Sequence, residues 1–284
     1  MAKRSPVSPT TVYRPDPRSL NPLVIGAGMI RYLGGTAILL ATSSAALVRP
    51  GRDGTSLFSQ TVRQVDRLVG LSFGVVAAVH VGMGSFLAMQ AYFGATFVAG
   101  IGPVVGVGLI RNLAPLLVGF LLAILVAVLY VADLQSEDLD SHPDRHHQVA
   151  SRVLAAMVAG PILAAWGALI GVGVGFLAAR AMMGVTEPMF FDLFLEMLWA
   201  RDIVGLVVKG AAFGGVAALL ACYEAVRPPA RGEKPGGMTA ISRAACRALV
   251  LACLAILVIN AGWFVFLYHA GPAFGPTLLT PPGQ

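Results

Sequence analysis

The chain reads as an all-α integral membrane protein, with an interfacial N-terminal helix followed by five transmembrane helices. Composition is the first observation behind this. Of 284 residues, 57% are hydrophobic and 12% charged, against roughly 25% charged in soluble domains, and mean hydropathy is +0.78. The second is where charge is missing: no Asp, Glu, Lys or Arg occurs in 68–110, 112–132, 153–179, 210–223 or 248–284. A spanning helix needs roughly 20 mainly apolar residues. Each run supplies one once 203–209 joins the fourth, and 68–110 holds a helix, a turn and the start of the next. The third observation is that basic residues gather on one side of these runs.

Residues 1–21, with Pro6, Pro9, Pro15 and Pro17 and no apolar stretch, read as a flexible arm and not as a cleaved signal peptide. The region 22–57 opens with an apolar segment at 22–48 broken by Arg31, which fits either a further crossing or an elbow lying in the interface. Spans are expected at 66–95, 101–132, 150–179, 203–224 and 240–268, making a five-span domain at 58–270. The tail 271–284 is too rich in Pro and Gly to stay helical.

Orientation follows from the Lys and Arg distribution. With the N-terminus inside, nine fall in 1–67, two in 133–152 and five in 224–247, against only Arg180 and Arg201 outside. Counting 22–48 as a crossing would put Lys3, Arg4, Arg14 and Arg18 outside, so the interfacial elbow is preferred. Between the third and fourth spans, "TEPMFFDLFLEMLWARD" at 186–202 predicts a short helix at the outer interface. Pro188 suits its first turn, and Asp192 and Glu196 share a face ringed by Phe190, Phe191, Phe194 and Trp199. An anchoring aromatic belt and a part in passing substrate both fit.

Several function classes drop out. The net charge of +6 sits at membrane borders, so nucleic acid is not a partner. There is no GxxxxGK[ST] phosphate loop, so any ATP is hydrolysed by another chain, and no cofactor is expected in this one. No nucleophile–base–acid set marks an enzyme. Cys222, Cys246 and Cys253 lack metal or redox spacing and read as free thiols in a helical bundle. His142, His146 and His147, with Asp140 or Asp144, form no recognised ligand set and read as a charged loop. His80 is expected to pack or hydrogen-bond locally. Gly70–Gly74, Gly171–Gly175 and Gly210–Gly214 are GxxxG spacings that let helix backbones approach. A proton-driven transporter would want a carboxylate within a span, and here carboxylates stand only at span borders.

Two residues remain. Arg111, in "LIRNLAP", and Lys209 are basic groups inside spans, where ionisable side chains are functional candidates by default. Pro115, four residues on, shares the face of Arg111 and loosens the backbone there. Gln90 and Tyr92 add polar tips near the end of the first span. Two cations with no evident carboxylate partner suggest an anionic ligand, and in a membrane a phospholipid headgroup is the natural one.

These residues carry a resemblance. "FSQTVRQVDRLVGLSFGVVAAVHVGMGSFLAMQAY" is similar to the first-span region of MlaE/YrbE-type permeases, and "LIRNLAP" resembles their "LLRELGP". "FFDLFLEMLWARDIVGLVVKGAAFGGVAALLACYEAV" resembles their outer helix and fourth span, lysine included. "GMTAISRAACRALV" resembles the opening of their last span. The match runs in order through 58–268. It implies a transmembrane subunit, dimerised with a second permease copy or a paralogue, in an ABC transporter that moves phospholipid or related lipid between bacterial membranes. Its expected partners are a cytoplasmic ATPase subunit, which binds the ATP, and a periplasmic MCE-domain protein. The expected location is the inner membrane, with the N-terminus cytoplasmic and the C-terminus periplasmic. Carried over by position, Gln90, Tyr92, Arg111, Asn112 and Lys209 become lipid-cavity candidates. Asp133, Glu137, Asp138, Asp140 and Arg145 fall where the family couples to its ATPase, and Arg145 and Arg152 match the basic residues opening the third span.

The departures make this a divergent member. Asn112 stands where the family has Glu, so the built-in counter-charge is missing and a preference for anionic lipid is expected. The stretch 133–152 is shorter than the family's coupling segment and lacks its signature residues. The chain could then be the divergent half of a heterodimer, or a non-transporting scaffold that engages no ATPase.

Overall fold

A computed structural model describes residues 22–46, 56–94, 106–136, 145–228 and 237–269, which form seven helices and no strand. They are α1 (Pro22–Ala46), α2 (Leu57–Gly94) and α3 (Gly106–Ser136), then α4 (Arg145–Met183), α5 (Glu187–Met197), α6 (Ala200–Val226) and α7 (Met238–His269). Five of them, α2, α3, α4, α6 and α7, are long and apolar enough to cross a membrane. The short α5 and the N-terminal α1 are not among these. This is the expected layout, with each crossing helix built on one of the charge-free runs and starting before it.

The helices form a three-helix centre with two flanks. In α3, α4 and α6 about half of each apolar window is buried (56%, 50% and 56%), against 28% in α2 and 17% in α7. Accordingly α2 lies against α4, while α7 lies against α6 and α3. The outward faces of the flanks carry Leu71, Val75, Val250, Leu254 and Val258, which is ordinary for a surface solvated by lipid rather than water.

Small residues set the central crossings. At the α4–α6 contact Gly160 meets the Gly210 carbonyl, Gly214 meets that of Ala156, and a Cβ on Gly210 would stand 2.8 Å from the Pro161 nitrogen. On the other side Gly84 rests on the Gly171 carbonyl, and Gly167 leaves the space that the buried His80 ring fills. His80 donates from Nδ1–H to the Val76 carbonyl at 2.8 Å, the local bond expected of it. The Gly70–Gly74 pair differs from expectation: a Cβ at either meets nothing within 4 Å. These glycines lie on the outer face of α2, so they pack no helix among the described residues.

Alternating helix directions bring charged groups together at two ends. At one, Arg67 of α2 pairs with Asp133 of α3, and Arg145 Nη2 donates to the Val226 carbonyl at 3.0 Å, capping α6. There the buried Glu224 accepts from Arg247 Nε at 2.8 Å, with Arg227 3.6 Å away. Tyr32 of α1 meets Tyr223 edge-on at 4.8 Å between ring centres, so α1 docks at this same end. Asp133 and Arg145 are therefore tied into the bundle. Glu137, Asp138, Asp140 and His142 lie outside the described residues.

At the other end Gly184, in the left-handed region at φ +64°, stops α4 by returning its N–H to the Arg180 carbonyl at 3.1 Å. Glycine accepts this conformation without a Cβ clash. The chain then enters α5, with Pro188 in the first turn. Phe190 and Phe194 are buried beside Phe176, while Asp192 and Glu196 face out. The aromatic face of α5 is thus partly core packing and not only a membrane belt.

Candidate functional site

The local backbone at "LIRNLAP" is a π-helical turn, Leu109–Leu113, set inside α3. Ala114 N–H reaches back five residues to the Leu109 carbonyl. Proline has no N–H, so Pro115 cannot bond the carbonyl of Arg111 four residues before it, as an α-helix requires. That carbonyl is taken instead by Lys209 of α6, whose Nζ donates to Arg111 O at 3.1 Å and to Asn112 Oδ1 at 3.3 Å. Lys209 is 1% exposed and its ammonium lies 4.6 Å from the Phe264 ring centre on α7, a cation–π distance. Asn112 is thus the partner of Lys209, not of Arg111.

Arg111 has a carboxylate after all. Its Nε and Nη2 donate to Asp202 Oδ1 and Oδ2, both at 2.8 Å. This is the two-pronged geometry in which guanidinium and carboxylate match best. Asp202 also accepts from Trp199 N–H at 3.1 Å, closing the first turn of α6, where a negative charge is favoured by the helix dipole. Its side chain is 2% exposed and that of Arg111 33%. The expectation of an unpaired Arg111 is therefore corrected. The counter-charge comes from α6, two helical turns before Lys209. The run Asp202, Leu206, Lys209 lies on the buried face of one helix, a spacing that was available as a signal.

Beside this network lies a cleft of about 500 Å³, lined by Val107, Gly108 and Arg111 of α3 and by Glu196, Met197, Trp199 and Arg201 around the α5–α6 junction. Arg201 stacks on Trp199, its guanidinium carbon 3.5 Å from the ring centre. Sequence reasoning did not reach Trp199 and Arg201 as cleft walls, because the close turn between α5 and α6 that folds them toward α3 is a tertiary feature. Gln90 and Tyr92 are exposed near the end of α2 and do not line this cleft. The sequence candidates thus divide: Arg111 faces the cleft, Lys209 and Asn112 brace it from behind, and the α2 pair stands apart.

A bundle of five helices long and apolar enough to cross a membrane, with an ion-paired guanidinium opening into a cleft at one end, fits a multi-pass membrane protein. The family model described as "Permease MlaE" matches residues 61–266, and the chain belongs to that family. It is similar to a probable ABC transporter permease protein of Rickettsia bellii, 26% identical over 252 residues, 83% of this chain and 93% of the relative. A protein of the same description from Rickettsia felis is 25% identical over equal shares. One from Synechocystis is 23% identical over 195 residues, 65% of this chain and 71% of the relative.

Proposed function

We propose that this chain is the transmembrane subunit of an ABC transporter that moves phospholipid or a related lipid between the inner and outer bacterial membranes. In this reading it lies in the inner membrane with its N-terminus cytoplasmic. It works with a second permease copy or paralogue, a cytoplasmic ATPase subunit that supplies the ATP step, and a periplasmic MCE-domain protein. The observation that carries the proposal is Arg111, part exposed in a cleft at one membrane end and fixed by Asp202 on the neighbouring span. A fixed guanidinium in a low-dielectric setting binds a phosphodiester strongly. The cleft is of small-molecule size, within roughly 300–1,000 Å³, so it takes a headgroup while the acyl chains lie along apolar helix faces.

Coupling would enter at the opposite end, where Asp133, Arg145 and the Glu224–Arg247 pair gather. The stretch between α3 and α4 lacks the family's signature, and that favours a second reading, a membrane scaffold or regulatory subunit that engages no ATPase. Co-purification separates the two: stoichiometric recovery of an ATPase subunit with the tagged chain would reject the scaffold. For the lipid role, Arg111→Ala combined with Asp202→Ala removes the guanidinium without leaving a buried carboxylate alone. This double variant should lose co-purified phospholipid, and unchanged lipid content together with unchanged transport would sink the headgroup role.

A further inference from the structure

The cleft beside Arg111 carries charges of both signs on its walls. Arg111 and Arg201 each bring one positive charge to its walls, Glu196 brings one negative charge, and Asp202 sits directly behind Arg111. Lys209 adds nothing to the cleft surface, because it is buried against Asn112 and the Arg111 carbonyl. Glu196 is exposed and lines the cleft from α5, while Arg111 lines it from α3. Stacking on Trp199 holds Arg201 in place.

We propose that the cleft selects a zwitterionic headgroup, with a phosphodiester toward Arg111 and Arg201 and a primary ammonium toward Glu196. The proposal rests on the lipid reading above and replaces the anionic preference expected from Asn112. An anionic headgroup has the same phosphodiester but no cation to offer Glu196. A quaternary ammonium balances the charge but cannot donate hydrogen bonds to a carboxylate, as a primary ammonium does with three N–H groups. Phosphatidylethanolamine chemistry fits; phosphatidylglycerol does not.

The test is competition on the purified full-length chain in detergent. Phosphatidylethanolamine, phosphatidylcholine and phosphatidylglycerol with identical acyl chains are offered in equal amounts, and bound lipid is read by native mass spectrometry. The wild-type chain should hold phosphatidylethanolamine over phosphatidylglycerol by about fivefold, the order of one partly exposed ion pair. Glu196→Gln should bring the ratio to about one, and Glu196→Lys should invert it. Phosphatidylglycerol bound equally or better by the wild type, or a ratio unmoved by Glu196→Gln, would overturn the inference. Soluble glycerophosphoethanolamine forms the last arm. If it displaces bound lipid at matching concentration, the ligand is a water-soluble amine phosphodiester and the lipid source is wrong. A wild-type chain that holds no lipid of any class would defeat the lipid reading itself. Lipid held without headgroup preference would defeat only the zwitterion proposal.

Discussion

Removing either member of the Arg111–Asp202 pair strands its partner, and the two strandings differ in cost. Asp202 is 2% exposed and accepts three hydrogen bonds, two from Arg111 and one from Trp199 N–H. Arg111→Ala therefore leaves a buried carboxylate with only a backbone donor, and losing one partner of a buried pair costs about 3–5 kcal/mol. Asp202→Asn leaves a guanidinium that is one-third exposed and keeps part of its hydration. The retained amide oxygen still caps α6, so the cost should be about 2–3 kcal/mol. Combining Arg111→Ala with Asp202→Asn strands no charge. The combined loss should fall short of the sum of the single losses by about 2 kcal/mol or more. The assay is reversible unfolding in mixed micelles as denaturing detergent is titrated, followed by helical circular dichroism. Additivity to within about 0.5 kcal/mol would show that the pair does not act as a unit and would remove the basis for a fixed Arg111.

Further outcomes follow from the same contacts. Asn112→Glu places a carboxylate where Lys209 Nζ now meets Asn112 Oδ1. A thermal-shift series should show Lys209→Met costing more in that background than in the wild type, by about 1–2 kcal/mol. Gly210→Leu should abolish the folded bundle, since even a Cβ there lies 2.8 Å from the Pro161 backbone. Gly70→Ala and Gly74→Ala should change stability by less than about 0.5 kcal/mol, read by size-exclusion profile and melting. Burial, then the nearby Glu224 carboxylate, push the Tyr32 phenol above its usual range. The folded state therefore holds its proton at a pH where the unfolded chain has lost it, and stability falls as pH rises above about 10. Tyr32→Phe should flatten that alkaline loss in a pH-dependent melt, and an unchanged slope would contradict it.

Periodic exclusion of charge, together with the sidedness of Lys and Arg, determined the architecture. Twenty apolar residues without charge leave lipid-exposed backbone only the helix as a way to satisfy its own hydrogen bonds, so the five crossings and the separate α1 and α5 were legible before any packing was known. The importance of Arg111 and Lys209 was legible for a related reason: charge in a span is costly and does not persist without use. Their partners were not legible. Asp202 is 91 residues from Arg111 along the chain, and at a span border its carboxylate reads as solvated until α6 is laid against α3. Asn112 reads as a lost counter-charge until the π turn and Pro115 turn the Arg111 carbonyl toward Lys209. Gly70–Gly74 and Gly210–Gly214 have the same spacing, yet only the second is buried, because spacing states what a face can do and not which face meets a neighbour. The sequence by itself set the elements, the membrane and the cations. Tertiary structure decided which charges pair and which face the cleft, because electrostatic pairing depends on distances of a few ångströms that no local pattern encodes.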